Sequence, residues 1–180
     1  ERFYLQKENT EEWPLCFSKL RMNGTTYIET YNEKLEMHKG IYIDIYRLDN
    51  ISNSSLLGYF QFLCSKLLIA RLLPRINYTA DSIMKKVLIG VMKKLPEQTD
   101  DFLLKQVKKF NTKKCDRVAN LFHRGSFKSN IYPIEWLGSP RYVSFGNMEL
   151  PVPERAEKYL SSRFGNDYMV IPEKDKRKIC

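Results

Sequence analysis

The 180-residue sequence lacks the patterns that mark the most easily recognised protein classes. Its four cysteines form no CxxC pair and have no nearby histidine, so we expect neither a zinc site nor a disulfide framework. The first residues lack the charged, apolar and small segments of a signal peptide. Repeats and low-complexity stretches are also lacking. With 43% hydrophobic and 13% aromatic residues, the chain is predicted to be one globular domain in a reducing compartment.

The positive charge is concentrated in the middle of the chain. The net charge is +9, and residues 66–117 hold 13 basic and 5 acidic side chains, a net charge of +8. Such a patch serves nucleic acid, an anionic membrane surface or a phosphate-bearing substrate, or it is simply a solvated helix face. Because no nucleic-acid motif is present and the basic residues are not interleaved with aromatic platforms, we do not expect nucleic acid as a partner.

Residues 38–49 are the most strand-like run in the sequence. Alternate side chains point to opposite faces, so one face holds Ile41, Ile43 and Ile45 and the other holds Tyr42, Asp44 and Tyr46. A carboxylate between two tyrosines must be hydrogen-bonded, metal-bound or solvated. The alternative is an edge strand with its polar face in water.

Two hairpins are predicted on either side of a helical middle. Residues 15–29 predict one around Asn23 and Gly24, and residues 142–150 predict another around Gly146 and Asn147, before a helix that ends at Gly165. In the first hairpin Lys19 and Arg21 project from one strand face. They either clamp a phosphate or only increase solubility.

The spacing of apolar residues changes to about 3.6 after residue 49 and predicts three helices. The first runs from Ser54 or Ser55 to Pro74 and is too polar for a membrane span, the second covers about 80–95, and the third begins at Thr99. Four lysines of the second helix lie away from its apolar stripe: Lys85, Lys86, Lys93 and Lys94. This helix either lies on an anionic membrane or packs on the sheet with its lysines in solvent.

Several of these segments together resemble the LicD family of cell-surface phosphotransferases. The N-terminal part matches through residues 19–21, 23–25 and 38–49. The C-terminal part matches through Tyr-Pro-Ile-Glu-Trp at 132–136, Val-Ser-Phe at 143–145, Leu-Pro-Val-Pro at 150–153, Tyr-Leu at 159–160 and Phe-Gly-Asn-Asp-Tyr-Met at 164–169.

The resemblance implies an α+β fold of nucleotidyltransferase-like type. We expect a small mixed β-sheet, a helical insert over about 54–114, and a C-terminal hairpin plus helix. The whole chain would form one domain with a β-rich catalytic-sheet part at 1–53, a C-terminal α+β part at 115–172 and a frayed tail at 173–180.

The resemblance also implies a reaction and a site. Members transfer phosphocholine or a related phospho-substituent from CDP-choline, or a similar CDP-activated donor, to a sugar of a teichoic acid, lipopolysaccharide or capsule precursor. Mg²⁺ or Mn²⁺ neutralises the transferred group. Asp44 would be a metal ligand or the general base, and Lys19, Arg21 and His38 would bind the donor phosphate. His38 is equally well explained as a turn histidine just before a strand. Asp49 is interpreted as a cap or turn acid at the exit of the strand.

The sequence departs from the family in one important respect. Members carry an upstream aspartate cluster that supplies most metal ligands, whereas no Asp-x-Asp occurs in these residues. We therefore expect an N-terminally incomplete enzyme that is inactive alone. A lipid-linked acceptor would bring it to the cytoplasmic face of the plasma membrane, with residues 80–114 in contact with anionic lipid. The alternative is a non-catalytic basic module that binds anionic membrane or polymer.

Overall fold

Short runs of alternating side chains build the first sheet. A computed structural model describes residues 1–29, 33–123 and 125–173. In it, β1 (Phe3–Gln6), β2 (Ser18–Met22) and β3 (Tyr42–Ile45) are antiparallel and lie in the order β1-β2-β3. The register places Lys19 opposite Asp44. Apart from its first residue, the expected frayed tail at 173–180 lies outside the described residues.

The predicted hairpin over residues 15–29 is wrong. A turn does follow β2, with a φ of +73° at Gly24, but residues 25–29 form no strand, and β2 pairs with β1 and β3. The hydroxyl of Thr25 accepts the backbone N–H of Ile41 at 3.0 Å. Side-chain bonds of this kind compete with strand pairing, and here one replaces it.

The remaining strands form two further sheets. They are β4 (Asp49–Ile51), β5 (Arg117–Ala119) and β6 (Ile131–Pro133) in one sheet, and β7 (Arg141–Phe145) and β8 (Met148–Val152) in the other. The sequence predicts one small mixed sheet, whereas the described residues form three small sheets with antiparallel pairings throughout. The mixed α and β composition is confirmed, as is the second hairpin.

Asp49 is not the turn acid that the sequence predicts. It is fully buried at the start of β4, where its Oδ1 accepts a hydrogen bond from Nδ2 of Asn111 at 2.7 Å. The guanidinium of Arg47 also lies 3.4 Å from this oxygen. Because β3 ends at Ile45, the strand-like run at 38–49 is divided between two sheets.

The helices begin and end close to their predicted positions. They are α1 (Ser55–Leu72), α2 (Ile83–Lys93), α3 (Gln98–Lys108) and α4 (Ala156–Phe164). Ser54 precedes α1, and the side chain of Ser82 caps α2 by accepting the N–H of Lys85 at 3.3 Å. Gly165 ends α4 with a φ of +96°, which favours glycine. The spacing of apolar residues therefore predicted the helices well.

Helix α1 passes through the core of the molecule. It packs on α3, and the buried Gln61 donates from Nε2 to the carbonyls of Asn50 (3.1 Å) and Val107 (3.0 Å). By length and composition, Ser55–Ile76 could also cross a membrane, with a mean hydropathy of 1.5 in an 18-residue window that is 44% buried here. Core helices of soluble proteins pass the same test.

The first sheet directs its polar face inward. Gln6, Lys19 and Arg21 are buried, whereas Leu5 and Ile43, which point the other way, are exposed. This is the reverse of the usual arrangement, in which the apolar face of an antiparallel sheet covers the core. The inward polar face forms one wall of the candidate site.

Candidate functional site

A buried lysine and a partly exposed aspartate form an ion pair across β2 and β3. Nζ of Lys19 lies 3.1 Å from Oδ1 of Asp44, and the side chains are 2% and 34% exposed respectively. The two residues are directly opposite in the antiparallel register. Two of the four predicted site residues, Lys19 and Asp44, are therefore in contact, and of this pair only the Asp44 carboxylate is accessible to solvent.

Aromatic rings surround the ammonium of Lys19. Its Nζ lies 3.2 Å from the ring centroid of Tyr42, 5.1 Å from that of Trp13 and 5.6 Å from that of Phe17. Burial lowers the pKa of Lys19, and the adjacent Asp44 carboxylate offsets part of that decrease. Ring faces and one carboxylate thus replace the water that this cation has lost.

The pair lies on the wall of a cavity of about 780 Å³. The first sheet supplies one side, and α1, α2 and the loop after β5 supply the others. The wall carries these ionisable groups: Cys16, Lys19, Glu29, Tyr42, Asp44, Tyr46, Lys66, Tyr78, Asp81, Lys85 and His123. A cavity of this size accommodates a nucleotide-sized ligand.

Lys66 brings a second buried cation to the cavity from α1. Its Nζ donates to the carbonyls of Leu121 (3.2 Å) and His123 (2.9 Å), and burial lowers its pKa. Lysine carries three N–H donors, and two of them have these partners. The loop after β5 is therefore tied to α1 at the cavity wall.

A smaller cavity of about 420 Å³ shares Asp44 and His123 with the first. On its wall, Nη2 of Arg163 lies 2.7 Å from Nδ1 of His123, and Nη1 donates to Oδ1 of Asn130 at 3.2 Å. Tyr132 also lines it, and burial raises the pKa of that phenol. Asp44 therefore lines both cavities.

Arg21 is buried beside the site and does not line the main cavity. Its Nε donates to Oε1 of Gln6 at 2.8 Å, its Nη1 donates to the carbonyl of Gly40 at 3.0 Å, and Nη2 is buried without a hydrogen-bond partner. The guanidinium also lies 4.8 Å from the ring centroid of Tyr42. These contacts hold the start of β3 in place.

His38 lies at the entry to β3 and away from the main cavity wall. Its ring stacks on Tyr4 with the centroids 5.0 Å apart, and its Nε2 lies 2.7 Å from Oδ1 of Asn23. Nδ1 accepts the backbone N–H of Gly40 at 3.0 Å. The structure therefore brings Lys19 and Asp44 together on the cavity wall, whereas Arg21 and His38 do not line that wall.

The residues present do not make a divalent-metal site by themselves. Among residues 1–29, 33–123 and 125–173, no group of three or more His, Cys, Asp or Glu side chains could hold a metal ion. Asp44 is one carboxylate, and its Oδ1 already faces the ammonium of Lys19. Mg²⁺ takes six oxygen ligands, of which a protein usually supplies one or two carboxylates while water and substrate phosphates supply the others.

Sequence reasoning missed three residues on the cavity walls: Lys66, His123 and Arg163. His123 is one of only two histidines in the chain, a signal that could have drawn attention to it. Comparison with protein-family models, with curated proteins and with solved structures gives no match to this chain. The LicD resemblance and the nucleotidyltransferase-like fold type stay predictions.

Proposed function

We propose that the chain is part of a metal-dependent phosphotransferase of the LicD type. It would move phosphocholine, or a related phospho-substituent, from a CDP-activated donor to a sugar of a cell-surface glycan precursor. The observation that carries this proposal is the Lys19–Asp44 pair on the wall of a nucleotide-sized cavity. A lysine there attracts the donor's phosphates, and a partly exposed carboxylate accepts the proton of an attacking hydroxyl or binds a cation.

The arrangement of β3 supports an incomplete site. Within the described part of the chain, β3 pairs with β2 alone and is an edge strand of the first sheet. A strand added at that edge would place its side chains beside Asp44. The proposal needs carboxylates at that position, because Asp44 alone does not hold the metal. We therefore expect no transfer by residues 1–180 in isolation.

The four predicted site residues divide into two roles in this proposal. Lys19 and Asp44 act on the ligand, Asp44 by contact and the buried Lys19 through its charge, whereas Arg21 and His38 position the strand that carries Asp44. A cytoplasmic location is part of the proposal, since Cys16, Cys64 and Cys115 are buried as free thiols, as in reducing compartments.

The test uses the polypeptide encoded by the complete reading frame. The release of CMP from CDP-choline is measured in the presence of Mg²⁺ and a glycan acceptor. We expect Asp44→Asn to reduce the rate about 10²- to 10⁴-fold, as for loss of a general base. Asp101→Asn, an exposed acid on α3, is the matched control and should retain the rate. Measurable transfer by residues 1–180 alone would contradict the proposed incompleteness.

A further inference from the structure

Helix α2 leaves most of its apolar stripe uncovered. Ile83 and Met84 are 81% and 83% exposed, and Val87 and Val91 are 61% and 56% exposed. At 100° per residue these four side chains lie within about one third of the helix circumference. The stripe is thus continuous and faces outward along the whole of α2.

The packing of α2 does not use this stripe. Met92 is the buried residue of the helix, and Ile89 is partly buried against the core. Both lie on the side of the helix opposite Ile83. Core formation therefore explains one face of α2 and gives no reason for the apolar residues on the other.

Lysines border the exposed stripe, and the helix itself contains no acid. Lys86 and Lys93 lie along one side of the stripe, Lys85 lies on the opposite face of the helix beside Met92 and Ile89, and Lys94 is the C-terminal cap. All four are exposed. The nearest acid, Asp81, precedes the helix and pairs with Lys85 at 2.7 Å. An apolar stripe bordered by lysines is the pattern of helices that lie in a membrane interface.

We propose that α2 binds the surface of an anionic lipid bilayer, with Ile83, Met84, Val87 and Val91 inserted at the boundary between headgroups and acyl chains. The positive charge of the lysines on α2 favours an anionic bilayer as the partner of this face. Across a two-fold contact between two copies of α2, like-charged lysines would face each other and oppose association. Anionic headgroups instead neutralise the lysines while the acyl region takes the apolar side chains.

Membrane binding would place the candidate site beside the bilayer. Lys85, Leu88 and Ile89 of α2 line the main cavity. If the proposed transferase function holds, the cavity would be close to acceptors that are anchored in the bilayer. This consequence rests on that function, whereas membrane binding by α2 does not, and the experiment below measures binding without any enzymatic readout.

The experiment is co-sedimentation of residues 1–180 with vesicles of phosphatidylcholine alone, or of phosphatidylcholine and phosphatidylglycerol in equal parts. We expect binding to the anionic vesicles that weakens as salt screens the lysines. Ile83→Glu with Val87→Glu should reduce the partition coefficient more than about a hundredfold. Lys86→Gln with Lys93→Gln should reduce it about fivefold for each lysine removed.

The control variant is Phe145→Glu. Phe145 is 65% exposed on β7, so it matches Val87 in exposure but lies outside the basic helix, and its change should leave binding unaltered. Far-UV circular dichroism and the unfolding midpoint confirm that each variant is folded. Equal binding to both kinds of vesicle would overturn the proposal. The proposal would also be overturned if the wild type were a dimer in size-exclusion chromatography, the double variant Ile83→Glu with Val87→Glu were a monomer, and neither protein bound the vesicles.

Discussion

The ammonium of Lys19 lies 3.1 Å from the carboxylate of Asp44, and the lysine is buried while the aspartate is one-third exposed. The two partners therefore depend on each other unequally. Without Asp44, the lysine would stay buried among aromatic rings and would lose its ion-pair partner. Without Lys19, the aspartate would still be solvated. This asymmetry has consequences for stability and pH dependence.

We expect Asp44→Asn to lower the free energy of unfolding by about 2 kcal/mol, which is below the value for fully buried pairs because Asp44 is partly solvated. Lys19→Met should reduce it by less than about 1 kcal/mol, because that change also removes the desolvated charge. Urea unfolding of both variants measures the difference. A larger loss for Lys19→Met than for Asp44→Asn would show that the ion pair is not arranged as described.

The pH dependence of the free energy of unfolding should show the lowered pKa of Lys19. Burial lowers its pKa below the ordinary value of 10.5, and that value returns when the chain unfolds. Between the two values the unfolded state binds more protons, so the free energy of unfolding rises with pH in that window. We expect the wild type to gain stability relative to Lys19→Met as pH approaches 10.5. Parallel curves for the two proteins would contradict a lowered pKa.

Two glycines provide a matched pair of alanine substitutions. A Cβ at Gly40 would clash with the carbonyl oxygen of Met22 and with the ring of His38, whereas a Cβ at Gly90 meets nothing within 4 Å. We expect Gly40→Ala to destabilise the protein by about 2 kcal/mol or more. Gly90→Ala, in the exposed middle of α2, should stabilise it by up to about 1 kcal/mol. Thermal unfolding distinguishes these outcomes, and a neutral Gly40→Ala would contradict the close approach of β2 and β3.

Arg71 should control the C-terminal end of α2. Its guanidinium donates to the carbonyls of Met92 (2.6 Å), Leu95 (2.8 Å) and Pro96 (2.8 Å). We expect Arg71→Met to increase amide hydrogen exchange in α2, because these buried carbonyls lose their donors. Arg75→Met is the control, since Arg75 shares Asp100 with Arg71 but is exposed. Unchanged exchange in Arg71→Met would refute this role.

The helices could be predicted because their signals are local. Ser54 precedes α1, Pro74 follows the end of α1, and Gly165 follows α4, so these three ends carry signals within one turn of them. Strand pairing is not local. The hairpin predicted around Gly24 failed because β2 pairs with strands that lie on both sides of it in the sequence.

The candidate site was only partly predictable for the same reason. The alternation in β3 correctly set Asp44 apart from the isoleucines, and spacing set Lys19 and Arg21 on one face. Spacing alone could not show that Lys19 lies opposite Asp44 while Arg21 holds Gly40. His123, Lys66 and Arg163 come from three other elements, and only the tertiary fold places them on the cavity walls.

The most direct measurement of the central claim is phosphorus NMR of the glycan acceptor after incubation with CDP-choline, Mg²⁺ and the polypeptide encoded by the complete reading frame. We expect a new phosphodiester signal on the acceptor with the wild type and with Asp101→Asn. We expect that signal to be lost with Asp44→Asn, in protein shown to be folded by circular dichroism. An undiminished signal with folded Asp44→Asn would contradict a role for the Lys19–Asp44 pair in phosphotransfer.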